Sequence, residues 1–60
     1  MVELGEVEVL IETDLALLCL IQGKEVWIPR EQIQDRESWC TGHRGKLVVP
    51  RWLALYKGLV

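Results

Sequence analysis

The chain has 60 residues, half of them hydrophobic and 27% of them charged, with a formal net charge of −2. A chain this short buries only about 60% of its unfolded surface, which excludes a two-domain protein, a doubly wound nucleotide-binding fold and a barrel-type enzyme. The apolar half excludes a disordered tail, because disorder requires low hydrophobicity and high net charge. We therefore expect residues 1–60 to form one small domain with more apolar surface than it can hide.

The charge is divided unevenly along the chain. Residues 1–29 carry six acids against one lysine, and residues 30–60 carry six bases against three acids. This division indicates either two faces with different partners or, more simply, a mixed surface once the chain folds. The isoelectric point near 5.2 argues against a strongly electrostatic nucleic-acid binder.

Three strands are predicted in the first half. Apolar residues alternate with glutamates through residues 6–12, with Val7, Val9 and Ile11 set against Glu6, Glu8 and Glu12. After a turn at Thr13–Asp14, the apolar run Leu15–Ile21 and the segment Glu25–Ile28 flank Gln22–Gly23, a signal for a two-residue hairpin loop. That loop pairs Cys19 with Val26 and Leu17 with Ile28 on one side, and Leu18 with Trp27 on the other.

The second half is predicted as a helical turn, two short strands and a helix. Pro29 is expected to end the third strand, because it lacks a backbone N–H. Arg30–Ile33 is expected to form the helical turn, with the side chain of Ile33 packed against the core. Trp39–Cys40 and Leu47–Val49 are predicted as strands around a loop at residues 41–46. Pro50 and Gly58 bound a final helix over Arg51–Lys57.

The segment Lys24–Ile33 and the tail with Pro50-Arg51-Trp52-Leu53-Ala54 and Lys57-Gly58-Leu59 resemble a group of short phage-type and plasmid-type proteins. Their shared pattern is EVWIPxxQI followed by PxWLA and KGL, and the likeness covers residues 15–60. The resemblance implies an SH3-like β-barrel and a mobile-element origin, and it implies no assigned activity. The expected fold is thus mainly β, a five-stranded SH3-like barrel with a helical turn after strand three and a short C-terminal helix.

Cysteine and histidine spacing does not favour a metal site or an enzyme. Cys40 and His43 form a C-x2-H pair, but a structural zinc site requires four ligands, usually in two close pairs. Cys19 lies in the most apolar segment and is expected to behave as a small hydrophobic residue. Both cysteines are expected to be free thiols, and no cofactor, metal or catalytic residue is expected.

The tryptophans and the glycine loop are the remaining candidates for contact residues. Trp27 and Trp52 are interpreted as core residues, Trp52 on a helix face shared with Leu55, Tyr56 and Leu59. Trp39 lies between arginines, which suits base stacking or a protein interface as well as core packing. The segment Gly42–Lys46 lacks the spacing of a phosphate-binding loop and is interpreted as a hairpin loop with binding potential.

Two functions remain open from the sequence alone. The first is a non-enzymatic protein-binding module, encoded on a mobile element and acting as an accessory or inhibitor of a larger, nucleic-acid-handling protein. The second is a small barrel that binds single-stranded nucleic acid. The candidate contact residues are Arg36, Trp39, His43, Arg44, Lys46 and Arg51, with Glu6, Glu8 and Glu12 as a glutamate row facing a basic partner.

Self-association and localisation are also predicted. Because half of the residues are hydrophobic, we expect a homo-oligomer or a subunit of a complex, since a dimer would bury one face of the hairpin. The acidic start Met1–Glu6 is unlike a secretory signal, and the run Leu15–Ile21 is far shorter than the roughly 20 residues of a membrane span. A cytoplasmic protein with no membrane partner is expected.

Overall fold

The computed structural model describes residues 1–33 and 39–60. It consists of a four-stranded antiparallel sheet with strand order β3-β2-β1-β4 and a short C-terminal helix. The elements are β1 Val2–Glu12, β2 Ala16–Ile21, β3 Lys24–Pro29, a 3-10 turn Arg30–Gln32, β4 Arg44–Val49 and the helix α1 Arg51–Tyr56. The prediction of a mainly β protein with a helical turn after the third strand and a short C-terminal helix is confirmed. The described residues contain four strands, where the sequence predicted five.

The β2–β3 hairpin forms as predicted. Ile21 lies opposite Lys24, and all three predicted pairs are present: Leu17–Ile28, Leu18–Trp27 and Cys19–Val26. Gln22 and Gly23 both have positive φ angles, 53° and 77°. Two positive φ angles define the tight turn whose twist matches that of the flanking strands.

Strand β1 is longer than predicted and is bent at two irregularities. Its register shifts between Glu3 and Glu6, where Gly5 has a φ of 78°, and again between Val9 and Ile11. The part up to Glu8 pairs with β4, and the part from Glu8 onward pairs with β2. Because each bulge bends the strand and increases its twist, β1 is shared between two differently directed halves of the sheet.

Two predictions between residues 39 and 46 are wrong. Trp39–Cys40 is not a strand, and residues 44–46 belong to β4 rather than to a loop. The hydrogen bonds give the reason. The N–H of Val9 donates to the carbonyl of His43, and the N–H of Gly42 donates to the carbonyl of Val9, both at 2.9 Å. The strand that pairs with β1 therefore begins directly after the turn at Thr41–Gly42, and residues 44–46 are held in the sheet as part of β4.

The core lies on the inner face of the sheet and is closed by α1. Leu17, Cys19 and Ile21 of β2 alternate inward and are fully buried, which confirms Cys19 as a small hydrophobic core residue. Ile33 is buried, as predicted, and α1 contributes Leu53 and Ala54. The interpretation of Trp52 as a core residue is wrong, because Trp52 is exposed together with Leu55 and Tyr56 while the adjacent Leu53 and Ala54 are buried. No helix in the described parts of the chain is long and apolar enough to cross a membrane.

Candidate functional site

The outward side of the sheet, here called the outer face, mixes acids and bases by strand pairing. Glu6 lies opposite Lys46 and Glu8 opposite Arg44 across the β1–β4 pair. The Arg44 guanidinium is 3.4 Å from the Glu8 carboxylate. The acidic first half and the basic second half are therefore interleaved here, as the simpler interpretation of the charge division expected. Exposed pairs of this kind contribute about 0–1 kcal/mol, so they set surface chemistry more than stability.

Glu12 does not continue that row but joins three segments of the chain. Its carboxylate accepts a hydrogen bond from the backbone N–H of Thr41 at 3.3 Å and another from the Arg30 guanidinium at 3.2 Å. The Thr41 N–H and, next, the Arg30 side chain lower the pKa of Glu12. Glu12 thus fixes the end of β1 against the 3-10 turn and the turn before β4.

Trp39 is a core residue in the structure. Only 5% of it is exposed, and its ring meets the His43 ring edge-on with centroids 4.4 Å apart. A Cβ at Gly45 would lie 3.2 Å from Nε2 of His43 and 3.8 Å from Cη2 of Trp39. Glycine at this position lets both rings pack against β4. The indole faces the interior and is not presented for base stacking.

The remaining predicted contact residues do not form one patch. Arg44 and Lys46 lie on the outer face, Arg51 lies on α1, and His43 is half-buried beside Trp39. Arg36 lies outside the described residues. Sequence reasoning therefore selected residues that the fold distributes over the outer face, the core and the helix.

An exposed apolar strip on the outer face was missed as a site. Leu18 lies opposite Trp27 on one side and Ile11 on the other, so one apolar row crosses three strands. Trp27 is 46% exposed and Ile11 49%, and Leu20 is the next outward residue on β2. We call Ile11, Leu18, Leu20 and Trp27 the apolar strip. The signal in the sequence was the predicted Leu18–Trp27 pair, which made both sides of the hairpin apolar; Trp27 was wrongly interpreted as core.

Acidic residues border this strip. Leu20 lies opposite Glu8 on β1 and opposite Glu25 on β3. A shallow depression of about 360 Å³ adjoins it, lined by Glu6, Val7, Glu8, Leu20, Gln22, Gly23 and Arg44. This volume is near the lower end of the roughly 300–1,000 Å³ of small-molecule pockets, and it is large enough for one protruding side chain.

A second exposed apolar surface lies on α1. Trp52, Leu55 and Tyr56 share one side of the helix at spacings of three and four residues, and they are 56%, 54% and 79% exposed. We call these three residues the helix patch. Arg51 precedes it, and the Lys57 ammonium lies 5.6 Å from the centre of the Tyr56 ring. Because Leu53 and Ala54 of α1 enter the core, the helix patch lies on the side of α1 turned away from the core, and it is a separate surface from the apolar strip on the outer face of the sheet.

In the part of the chain that the structure describes, the thiols and acids do not gather into a further site. Cys19 is buried and Cys40 is exposed. Within residues 1–33 and 39–60, no group of three or more His, Cys, Asp and Glu side chains could hold a metal ion.

Comparison of the chain with protein-family models, with curated proteins and with solved structures finds no match.

Proposed function

We propose that this protein is a small, non-enzymatic protein-binding module whose docking surface is the apolar strip on the outer face. It acts in the cytoplasm as an accessory or inhibitor of a larger protein and is encoded on a mobile element, as the sequence resemblance implies. The observation that carries the proposal is Trp27, 46% exposed at the end of an apolar row that crosses three strands.

The chemistry of the strip suits a protein partner. Tryptophan is enriched among the few residues that dominate binding energy at protein interfaces, and contiguous exposed apolar surface marks interaction sites. Leu18 and Leu20 supply flat apolar area beside Trp27, and Glu8 and Glu25 supply a polar rim. An apolar centre with a charged rim is the usual anatomy of such an interface.

The same surface is less suited to single-stranded nucleic acid. Base stacking requires exposed aromatic rings beside unpaired cations. Trp39 is buried, and the Arg44 guanidinium is engaged with Glu8. On the outer face, the geometry therefore favours a protein partner.

The proposal includes an SH3-like barrel as the scaffold. Its support is the shared strand β1, which pairs with β2 through one half and with β4 through the other, and the 3-10 turn between β3 and β4. Bulges such as those at Gly5 and Leu10 are the usual means of bending a sheet toward closure.

The test is capture of a partner by variants that differ only in surface chemistry. The wild type, Trp27→Ser and the control Leu15→Ser are immobilised, since Leu15 is 82% exposed but lies outside the strip. We expect a defined protein to bind the wild type and Leu15→Ser, with affinity at least about tenfold lower for Trp27→Ser. Equal binding to all three proteins would contradict docking through the strip.

A further inference from the structure

We infer that a second copy of this chain docks on the apolar strip through its helix patch, so that copies associate head to tail. The inference rests on the proposed function, because it names one partner of the same docking surface. It starts from two separate exposed apolar surfaces, one on the outer face of the sheet and one on α1.

The position of the two surfaces limits how copies can associate. A contact related by a two-fold axis buries the same surface on both copies. Such a contact at the strip leaves the helix patch exposed, and one at the helix patch leaves the strip exposed. A head-to-tail contact covers the strip of one copy and the helix patch of the next with a single kind of interface.

Charge selects between these arrangements. The outer face carries four glutamates against two bases, namely Glu3, Glu6, Glu8 and Glu25 against Arg44 and Lys46. The helix patch is bordered by Arg51 and Lys57, and residues 39–60 contain no Asp or Glu. A contact between the strips of two copies brings acidic residues together, and a contact between two helix patches brings basic residues together. Strip against helix patch places opposite charges across the contact, which favours correct pairing and suppresses the wrong ones.

Shape is consistent with the same pairing. The helix patch projects Trp52 and Tyr56 from a helix of six residues, and the outer face has the depression of about 360 Å³ beside Leu20. An aromatic ring fits a depression of this size, and there the indole N–H of Trp52 or the hydroxyl of Tyr56 would be able to donate a hydrogen bond to the Glu6 or Glu8 carboxylate. A growing array then keeps one free strip and one free helix patch at its ends, and the free strip remains available to the larger protein.

Sedimentation velocity at increasing protein concentration tests the inference. Trp27→Ser removes the aromatic ring of the strip and Trp52→Ser removes one aromatic ring of the helix patch. Neither side chain belongs to the buried core, and a circular dichroism melt checks that the fold is retained. We expect the wild type and Leu15→Ser to form assemblies larger than dimers, and each tryptophan variant alone to weaken association at least about tenfold.

Mixing the two variants is the decisive step. Trp27→Ser keeps a working helix patch and Trp52→Ser keeps a working strip, so an equimolar mixture should form a heterodimer that grows no further. Added salt should weaken this heterodimer, because opposite charges face each other, whereas like-charged contacts would be strengthened.

Three results would overturn the inference. They are a wild type that stays monomeric at several hundred micromolar, a mixture that forms no heterodimer, and association that only one tryptophan variant disrupts. None of them decides the proposed function. That function fails only if Trp27→Ser also captures the larger protein as well as Leu15→Ser does.

Discussion

Cys19 makes the stability of the fold sensitive to alkaline pH. Its side chain is fully buried on β2, and burial raises the pKa of the thiol from 9.0 to about 11. The unfolded chain therefore loses this proton first. Stability is intact below the unfolded value and falls as the pH rises toward the folded value.

We predict that the urea midpoint of the wild type falls between about pH 8 and about pH 10.5, and that Cys19→Ala reduces this fall. Cys40→Ala is the matched control, since Cys40 is exposed and Cys19 remains in place. An equal alkaline loss in Cys19→Ala and Cys40→Ala would contradict the role of Cys19.

Gly45 is the second residue whose surroundings make a definite prediction. A Cβ there approaches Nε2 of His43 to 3.2 Å, and β-branched methyl groups would extend further toward Trp39. We expect Gly45→Val to destabilise the fold by about 1–3 kcal/mol through overpacking. Lys46→Val, on the outer face of the same strand, serves as the control in chemical denaturation and should change stability little. Equal stability of the two variants would show that the space beside Gly45 is not limiting.

The tryptophans show how little the sequence says about the exposure of single residues. Trp27 and Trp52 were expected in the core and are exposed, while the burial of Trp39 could not be decided among its polar neighbours. Alternation and helical spacing define which residues share a side. They do not say which side another element covers, and here α1 uses Leu53 and Ala54 instead of Trp52.

Among the secondary-structure elements, the β2–β3 turn holds one residue with a side chain in an unfavourable backbone conformation. Gln22 has a φ of 53°, a region that costs about 1–2 kcal/mol for a residue with a side chain. Its Nε2 donates a hydrogen bond to the carbonyl of Leu59 at 3.1 Å, which ties the hairpin to the segment after α1. The side-chain bond offsets part of the backbone cost.

A pair of substitutions separates these two contributions. Gln22→Ala and Gln22→Gly both lose the bond to Leu59, but only alanine retains the backbone cost. We expect the glycine variant to be more stable than the alanine variant by about 1 kcal/mol in urea denaturation. Equal stabilities would mean that the turn relaxes when the side chain is removed.

Turns and bulges also explain which secondary-structure elements could be predicted from the sequence. The β2–β3 hairpin follows from Gln22–Gly23, because a two-residue loop fixes the register of every pair beyond it. The start of β1 did not follow, since Gly5 reads as a break in the alternation. In the structure it is a bulge inside the strand. The Trp39–Cys40 prediction failed because the backbone of β1 pairs with Gly42 and His43, which follow the turn, and not with residues 39–40.

For the whole molecule, strand pairing decides how the charge is used. The sequence shows an acidic half and a basic half, and only the β1–β4 pairing shows that Glu8 meets Arg44. The apolar strip was partly predictable, because the hairpin register already placed Leu18 beside Trp27. Its extension to Ile11 required the bulge at Leu10, which shifts Ile11 to the outer face.

This charge arrangement predicts weak binding to nucleic acid. Titration of single-stranded oligonucleotide should quench tryptophan fluorescence little at either about 50 mM or about 200 mM salt, because the chain is acidic overall and the Arg30 and Arg44 guanidinium groups are engaged with Glu12 and Glu8. Arg44→Ala should leave the result unchanged. Strong quenching that disappears at the higher salt would instead restore the nucleic-acid hypothesis.

The distance in sequence between β1 and β4 has a consequence for the order of folding. Strands β1, β2 and β3 are joined by short turns, whereas the β1–β4 ladder joins Val2 to Val49. Because long loops must close before distant pairs form, we expect the three-stranded meander to be present in the transition state and β4 to be added later. In stopped-flow measurements, Leu17→Ala should mainly slow folding and Leu47→Ala mainly speed unfolding. Ile11, Leu18, Leu20 and Trp27 all belong to the meander, so the transition state would already carry the complete apolar strip before β4 closes the core.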